Sequence, residues 1–303
     1  MTNLIFIVGA TATGKTNWAI KWAQQSQIDS PSKKTGILNA DSIQIYKNLN
    51  KGSAKPDFLK YPEINFYLFD RLKAPELCTA GFFRKEALKI LTEKLPTEKI
   101  FVVGGSGFYL QALEKGMYPI KNSPFKIKKT SPLLTHSLKE AYQDLKKKDP
   151  KEASKISPND KYRILRALEL ISREDKTLSQ IKKEFKKQSL PWNYIKIGIH
   201  LSKQELLKKV RQRTQNMLKT GFIEEVESLL AQGLKSWRAL NSIGYKQVQK
   251  YLEGSVSKEN LASSIISSTM HLAKKQKTWF KKDKNILWFD GNSDPLKIYK
   301  KLF

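Results

Sequence analysis

The stretch LIFIVGATATGKT, residues 4–16, decides the predicted fold of this chain. An apolar run comes first, and the turn after it has the spacing G-x-x-x-x-G-K-[S/T] from Gly9 to Thr16. Glycines at this spacing let the backbone curl so that successive N–H groups face phosphate oxygens at the start of a helix. We therefore expect a strand, a phosphate-binding loop and a helix, in that order. The residues predicted to hold the phosphates are Gly9, Ala10, Thr11, Ala12, Thr13, Gly14, Lys15 and Thr16.

Similar patterns further along extend this unit to an α/β fold. Apolar runs at residues 36–38 and 100–103 predict further strands buried on both faces, and helical spacing occurs at residues 16–25 and 81–95. Strands that alternate with helices form right-handed βαβ units, so we predict a P-loop NTPase-like parallel sheet flanked by helices. A possible strand follows at residues 194–201, and helical patterns occupy residues 204–221, 222–233 and 258–282.

The charge of the chain predicts a polyanionic partner. The 303 residues include 56 Lys and Arg against 28 Asp and Glu, a formal net charge of +28. Residues 1–120 carry +6, residues 121–190 carry +10 and residues 191–303 carry +12, so most of the excess lies outside the segment with the phosphate loop. Nucleic acid is the natural partner of such a surface, and a generally lysine-rich surface is the alternative.

Residues 121–190 are helical and basic, with no clear strand pattern. We interpret them as a small all-helical insertion domain, with residues 1–120 and 191–303 forming the P-loop core and its C-terminal helices. The single cysteine, Cys78, excludes an internal disulfide and suits a reducing compartment. Because the N-terminal apolar run is too short to span a membrane, we expect a cytoplasmic protein without a membrane anchor.

An acidic residue is absent where a nucleotide hydrolase would carry one. The run at residues 100–103 ends in Gly104-Gly105-Ser106-Gly107, whereas hydrolases of this fold place a magnesium-binding carboxylate after such a strand. Asp41 instead follows the run at residues 36–38, which parallel topology brings to the same sheet edge as the phosphate loop. A general base is the functional interpretation of Asp41, and a cap of the next turn is the structural one.

At this point the chain resembles a known family, the tRNA dimethylallyltransferases, also called tRNA isopentenyltransferases, of the bacterial type. The likeness extends through nearly the whole chain. It includes the phosphate loop, and it includes Arg213 with Met217 and Gly221. The other matching segments, in order, are Asp41-Ser42-Ile43-Gln44-Ile45-Tyr46, Gly52-Ser53-Ala54-Lys55-Pro56, FRKEAL at 83–88, VGGSGFY at 103–109, PNDKYRILRALE at 158–169, IGYKQ at 243–247 and LAKKQKTW at 272–279. Each is weak alone, and their order and spacing carry the resemblance.

The resemblance implies a prenyl transfer to tRNA. In this family, dimethylallyl diphosphate donates its prenyl group to N6 of the adenosine 3′-adjacent to the anticodon, and pyrophosphate leaves. By resemblance, the loop holds the donor's diphosphate, Asp41 accepts the proton of the adenine amine, and Arg213 is a second cation for the leaving group. Lys15 and Thr16 complete the expected catalytic set, with Thr16 as a ligand of the Mg²⁺ cofactor.

The family also implies an interface with the anticodon stem-loop, with the target base flipped out of its stack. Tyr162 and Trp279 could stack on bases or lie in the core. The residues carried over as tRNA contacts are Asp41, Ser42, Ile43, Gln44, Ser106, Tyr162, Arg163, Ile164, Leu165, Arg166, Asn241, Ser242, Ile243, Gly244, Tyr245, Lys246, Lys274, Lys275, Gln276, Lys277, Thr278, Trp279, Phe280 and Lys281.

Three alternatives compete with this hypothesis: a P-loop kinase of nucleotides or small molecules, an RNA-binding protein that uses the loop as a nucleotide switch, and a prenyltransferase acting on free AMP. The basic helical regions favour an RNA substrate over the kinase and the AMP enzyme. Departures from the family pattern occur at Ala10, Met270, His271 and Lys275, and they bear on the details of RNA contact. We expect a monomer, because tRNA would occupy the basic surface.

Overall fold

The computed structural model describes residues 3–117, 137–174 and 176–303. In these residues, a parallel sheet of six strands has the order β3-β2-β4-β1-β5-β6, with all pairings parallel. The strands are β1 (Leu4–Gly9), β2 (Lys34–Asn39), β3 (Ile64–Tyr67), β4 (Glu98–Gly104), β5 (Tyr194–His200) and β6 (Ile286–Asp290). The predicted α/β fold with a parallel sheet is confirmed.

The described helices agree with the predicted alternation. Helix α1 follows the phosphate loop, and the helical patterns predicted at residues 81–95, 204–221, 222–233 and 258–282 correspond to α2, α8, α9 and α11. The helices are α1 (Lys15–Asp29), α2 (Ala80–Lys94), α3 (Gly107–Lys115), α4 (Leu138–Lys148), α5 (Pro150–Ala153), α6 (Lys161–Glu174), α7 (Leu178–Glu184), α8 (Lys203–Lys219), α9 (Phe222–Ala231), α10 (Tyr245–Leu252), α11 (Lys258–Phe280) and α12 (Pro295–Leu302). None of these helices is long and apolar enough to cross a bilayer.

The central strands are buried on both faces, which explains why they were predictable. In β1, Phe6 points to a cluster formed with α2, α3 and the end of α11, whereas Ile5 and Ile7 point to a cluster formed with α1 and α12. Alternate residues of a strand face opposite sides of the sheet, so both sets must be apolar. Burial of each such side chain stabilises the fold by roughly 1.5–3 kcal/mol.

The two outer strands, β3 and β6, were not predicted. Both lie at edges of the sheet, and each has a single fully buried residue, Ile64 in β3 and Ile286 in β6. An edge strand that is half exposed lacks the continuous apolar run by which we identified the other strands.

The chain divides into two compact units. The first contains Met1–Glu114 and Leu190–Phe303, and the second contains Lys115–Ser189. The described part of the second unit consists of α4 to α7 around a core that includes Leu145, Ile164 and Leu168. Residues 121–136, the start of the predicted insertion, lie outside the described residues.

A third core cluster in the first unit determines where the chain runs after β2. Ile45, Tyr46 and Leu49 pack with residues of α9, α10 and α11, among them Phe222 and Tyr245. The segment that follows Asp41 is therefore fixed against the C-terminal helices, beside the end of the sheet that carries the phosphate loop.

Candidate active site

The phosphate loop has the backbone conformation of an anion-binding turn. Ala12 and Gly14 have φ angles of 63° and 91°, so left-handed residues alternate with right-handed ones and turn successive N–H groups toward one side. A Cβ on Gly9 would lie 2.4 Å from the carbonyl oxygen of Ile199, whereas a Cβ on Gly14 would meet nothing within 4 Å. Any side chain at position 9 would therefore clash with β5, whereas the space beside Gly14, at the start of α1, is open.

Lys15 supplies a cation at this loop. Its Nζ donates to the carbonyl oxygen of Ala10 at 2.6 Å, and the Thr13 hydroxyl donates to the same oxygen at 2.9 Å. Burial lowers the pKa of Lys15 to about 8, an effect that the charge of Asp41 opposes and that of Arg213 reinforces. The ammonium is therefore charged at neutral pH and loses its proton just above it.

The surroundings of Thr16 fit a magnesium ion. Thr16 and Asp41 line the same cavity of about 280 Å³, and no residue of the described chain forms a hydrogen bond with the Thr16 hydroxyl. The described residues contain no group of three or more His, Cys, Asp or Glu side chains that could hold a metal alone. The Thr16 hydroxyl is a hard oxygen ligand of the kind that Mg²⁺ prefers.

Asp41 caps the turn that follows it, as the structural interpretation of its sequence context predicted. Its Oδ1 accepts N–H groups of Ile43 at 2.8 Å and Gln44 at 3.4 Å, so the carboxylate caps the next turn. Its own N–H donates to Oδ1 of Asn39 at 2.8 Å, which fixes the backbone as well. Among the described residues no donor pairs with Oδ2, so a rigidly held carboxylate keeps one oxygen for a substrate.

Arg213 on α8 connects the phosphate loop to the segment after β2. Its guanidinium donates to Oγ1 of Thr11 at 3.4 Å and to the carbonyl oxygen of Ser53 at 3.2 Å. Burial lowers its pKa, and the charge of Asp41 opposes that effect. An arginine remains protonated despite such a shift, so the site keeps a permanent second cation.

Gln276 on α11 contacts the phosphate loop directly. Its Oε1 accepts the N–H of Thr11 at 2.8 Å, and its Nε2 donates to the carbonyl oxygen of Gly105 at 2.9 Å. A Cβ on Gly105 would lie 2.5 Å from Nε2, so the glycine allows this approach. Sequence reasoning assigned Gln276 to the RNA interface, and no local signal in the sequence indicated this contact across 265 positions.

Two cavities meet at these residues. The smaller, of about 280 Å³, contains the loop with Lys15 and Thr16, together with Lys209, which sequence reasoning missed. The larger, of about 560 Å³, has a mainly apolar wall surface. Its walls include Ile43, Phe108, Val210, Met217, Ile265, Leu272 and Trp279. Thr11, Asp41, Gly105, Arg213 and Gln276 line both cavities.

Several of the predicted tRNA contacts line the larger cavity. They are Asp41, Ser42, Ile43, Ser106, Asn241, Ser242, Ile243, Gly244, Lys275, Gln276 and Trp279. The Ser106 hydroxyl accepts the N–H of Ser42 at 3.1 Å, which joins the loops after β4 and β2. Trp279 is 41% exposed and Tyr162 is 48% exposed, so both rings offer surface for stacking.

Other predicted tRNA contacts have buried side chains, and their assignment to the RNA interface stays a prediction. Ile164 and Leu165 lie in the core of the second unit, and Tyr245 and Phe280 lie in cores of the first. The Tyr245 hydroxyl donates to Glu225 at 2.7 Å. An α-helix rotates by about 100° per residue, so a contiguous helical motif contains packing residues as well as surface ones. In α6, Tyr162 and Arg163 are exposed and Arg166 is partly buried.

Comparisons with known proteins identify a family. The IPP transferase family model matches residues 44–283. A tRNA dimethylallyltransferase of Bdellovibrio bacteriovorus is 42% identical over 297 residues, which covers 96% of this chain and 94% of that protein. The crystal structure of a tRNA isopentenylpyrophosphate transferase from Staphylococcus epidermidis aligns with a TM-score of 0.68 at 28% identity, over 99% of this chain and 96% of that one.

A eukaryotic dimethylallyltransferase acting on tRNA shares the fold, with a TM-score of 0.80 at 23% identity, over 96% of this chain and 74% of that one. The family match begins three residues after Asp41 and contains Arg213 and Gln276, and the Bdellovibrio relative covers nearly the whole chain. The chain therefore belongs to the tRNA dimethylallyltransferase family.

Proposed function

We propose that this chain transfers a dimethylallyl group from dimethylallyl diphosphate to N6 of the adenosine 3′-adjacent to the anticodon in tRNA, which yields N6-isopentenyladenosine and pyrophosphate. The observation that carries the proposal is the position of Asp41, where a cavity with the phosphate loop meets a larger apolar cavity. The smaller cavity suits a diphosphate, and the larger one suits a prenyl group and an extruded purine. Family membership supports prenyl transfer over the kinase alternative.

In this mechanism the adenine amine is the nucleophile. The N6 lone pair forms a bond to C1 of the donor while the bond from C1 to the diphosphate oxygen breaks, and the pyrophosphate leaves with that electron pair. Asp41 accepts the proton from N6 through the oxygen that the turn leaves free. A carboxylate also selects adenine, because guanine presents a carbonyl at the equivalent edge and cannot donate there.

The cations act on the leaving group. Negative charge develops on the diphosphate as the C1–O bond breaks, and the loop N–H groups, Lys15 and Arg213 are arranged to stabilise it. Arg213 can bind phosphate oxygens through two N–H donors. Mg²⁺ held by Thr16 and phosphate oxygens would neutralise further charge on the diphosphate.

The anticodon stem-loop would bind through phosphates and through stacking. Lys274, Lys275 and Lys277 are exposed on α11, and Lys275 lies one helical turn before the exposed Trp279. Lysines contribute affinity without sequence information, and an exposed indole stacks on unpaired bases. Because the target amine must reach Asp41, the adenosine is flipped out of its stack. We further propose a monomer that acts in the cytoplasm.

Labelled dimethylallyl diphosphate tests the proposal. The purified protein with Mg²⁺ should transfer label to unmodified tRNA that carries adenosine beside the anticodon, and nuclease digestion should yield labelled N6-isopentenyladenosine. Label on AMP with none on tRNA would overturn the RNA assignment, and transfer of phosphate from ATP in place of prenyl would revive the kinase alternative.

A further inference from the structure

We propose that Glu225 is a positioning residue for prenyl transfer: it holds the loop that carries Ser53 and through that loop orients Arg213. The inference rests on the proposed function, in which Arg213 stabilises the departing diphosphate. Glu225 lies in the first turn of α9, between the exposed Glu224 and the buried Val226. Among the described residues, it forms no hydrogen bond with the phosphate loop.

The carboxylate of Glu225 binds a run of backbone donors. One oxygen accepts the N–H groups of Asn50 at 3.0 Å and Lys51 at 2.8 Å, and the other accepts the N–H of Gly52 at 3.4 Å. The second oxygen also accepts the Tyr245 hydroxyl at 2.7 Å. Bonds from consecutive N–H groups to one carboxylate fix the position and the direction of a short loop.

The loop held in this way ends at the carbonyl group that orients the cation. The carbonyl oxygen of Ser53 accepts from Arg213 at 3.2 Å and from Nε2 of Gln44 at 3.0 Å. Gln44 closes the turn that Asp41 caps. A shift of the loop would therefore move the acceptor shared by the guanidinium and by the segment of the proposed base.

Packing leaves this loop few other positions. A Cβ on Gly52 would lie 2.3 Å from the ring of Phe222 and 2.6 Å from that of Tyr245, so the backbone lies directly against α9 and α10. The Ser53 side chain is buried, and its hydroxyl donates to the carbonyl oxygen of Leu49 at 2.7 Å. Packing thus restricts the position of the loop at residues 50–53, and the hydrogen bonds to Glu225 fix the orientation of its backbone.

A purely structural role would give a different result on mutation. The bonds from Asn50 and Lys51 lie at the surface, where water can replace the carboxylate, and those from Gly52 and Tyr245 are partly buried. Loss of Glu225 should therefore lower the melting temperature without preventing folding. The orientation of a charged group at the reacting bond is far more sensitive, since a displacement of about 1 Å can lower a rate by about a hundredfold.

The experiment compares Glu225→Ala, Glu225→Gln and the matched control Glu224→Ala, which removes the same charge from the same helical turn. We expect Glu225→Ala to lower kcat for tRNA prenylation by about tenfold or more. Glu225→Gln should retain kcat to within about threefold, because its amide oxygen can still accept the N–H groups of Asn50 and Lys51 while only the long bond from Gly52 is lost. Glu224→Ala should match the unchanged protein, and melting temperatures of all variants confirm folding.

A double-mutant test separates positioning from a general effect. If Glu225 acts through Arg213, then Glu225→Ala should lower kcat by less than about twofold in an Arg213→Lys background, because the oriented guanidinium is already lost. Equal losses in both backgrounds, or an unchanged kcat in folded Glu225→Ala, would overturn the inference. Should the unchanged protein not prenylate tRNA, the proposed function fails, and calorimetric binding of dimethylallyl diphosphate to the same variants still tests the orientation of Arg213.

Discussion

The two cavities on either side of Asp41 are built from different parts of the sequence. The smaller takes its phosphate-facing backbone, Lys15 and Thr16 from one continuous stretch, and α8 adds two more cations, Lys209 and Arg213. The larger is apolar and takes its walls from loops and helices that are distant in the sequence. In the proposed reaction the two cavities would have different tasks. The first would stabilise charge on the leaving group, and the second would select what can approach Asp41.

The shared residues show how the tasks are joined. Arg213 and Gln276 come from two different C-terminal helices, and both contact Thr11 in the phosphate loop. Thr11 is therefore bound through its hydroxyl by one helix and through its N–H by the other. The geometry of the diphosphate site thus depends on helices that also form the apolar cavity.

The largest effect is expected at Asp41, where the two cavities meet. Asp41→Asn keeps a turn-capping oxygen but removes the base, so we expect the rate of prenyl transfer to fall by about 10²–10⁴-fold. Binding of the anticodon stem-loop, which depends mainly on phosphate contacts, should change by less than about threefold in a filter-binding assay. Near-normal turnover in this variant would remove Asp41 from the mechanism.

The next prediction concerns the polar cavity alone. Because Lys15 has a pKa of about 8, its ammonium deprotonates above that pH, and affinity for dimethylallyl diphosphate should fall by up to about tenfold per pH unit. Calorimetric titration without RNA measures this, and Lys15→Arg should show a flatter profile because arginine stays charged.

The expected loss of affinity for dimethylallyl diphosphate at high pH is not accompanied by a loss of folding stability. The native pKa of Lys15 lies below the value of about 10.4 for a free lysine, so between these values the unfolded chain binds more protons than the native one. The contribution of Lys15 to stability therefore rises with pH across the same range, as the buried charge is relieved. A melting temperature that fell in parallel with donor affinity would contradict the assignment.

A smaller effect is expected at the junction formed by Gln276. Gln276→Leu leaves the N–H of Thr11 and the carbonyl of Gly105 without partners, so the Kd for dimethylallyl diphosphate should rise by about tenfold. Gln276→Glu should be worse, because a carboxylate cannot donate to Gly105 and repels the diphosphate. Gln247→Leu is the control: that buried amide binds Gly244 and Ser268 and should leave donor affinity unchanged. Equal losses in Gln276→Leu and Gln247→Leu would indicate a general effect on α11.

The same contrast explains what the sequence could predict. Strands β1, β2 and β4 carry apolar runs because both faces are buried, and parallel topology then brings Asp41 to the edge with the phosphate loop. The edge strands β3 and β6 lack such runs. The contacts of Gln276 and Glu225 depend on tertiary packing across more than 170 positions, which local patterns do not encode. Motifs carried over as continuous blocks also brought in buried residues such as Ile164 and Phe280.

The smallest effect is expected on the surface beside the apolar cavity, where RNA would approach. Lys275 lines that cavity and is exposed on α11, so Lys275→Gln should weaken stem-loop binding by a few fold and lower the salt dependence of log K by about 0.7–0.9. Affinity for dimethylallyl diphosphate should not change. Lys300→Gln removes the same charge from α12, on the opposite face of the sheet, and is the matched control. If net charge alone determined RNA binding, the two variants would behave alike. An equal loss of RNA affinity in both variants would therefore indicate general electrostatic attraction and contradict a defined interface at Lys275.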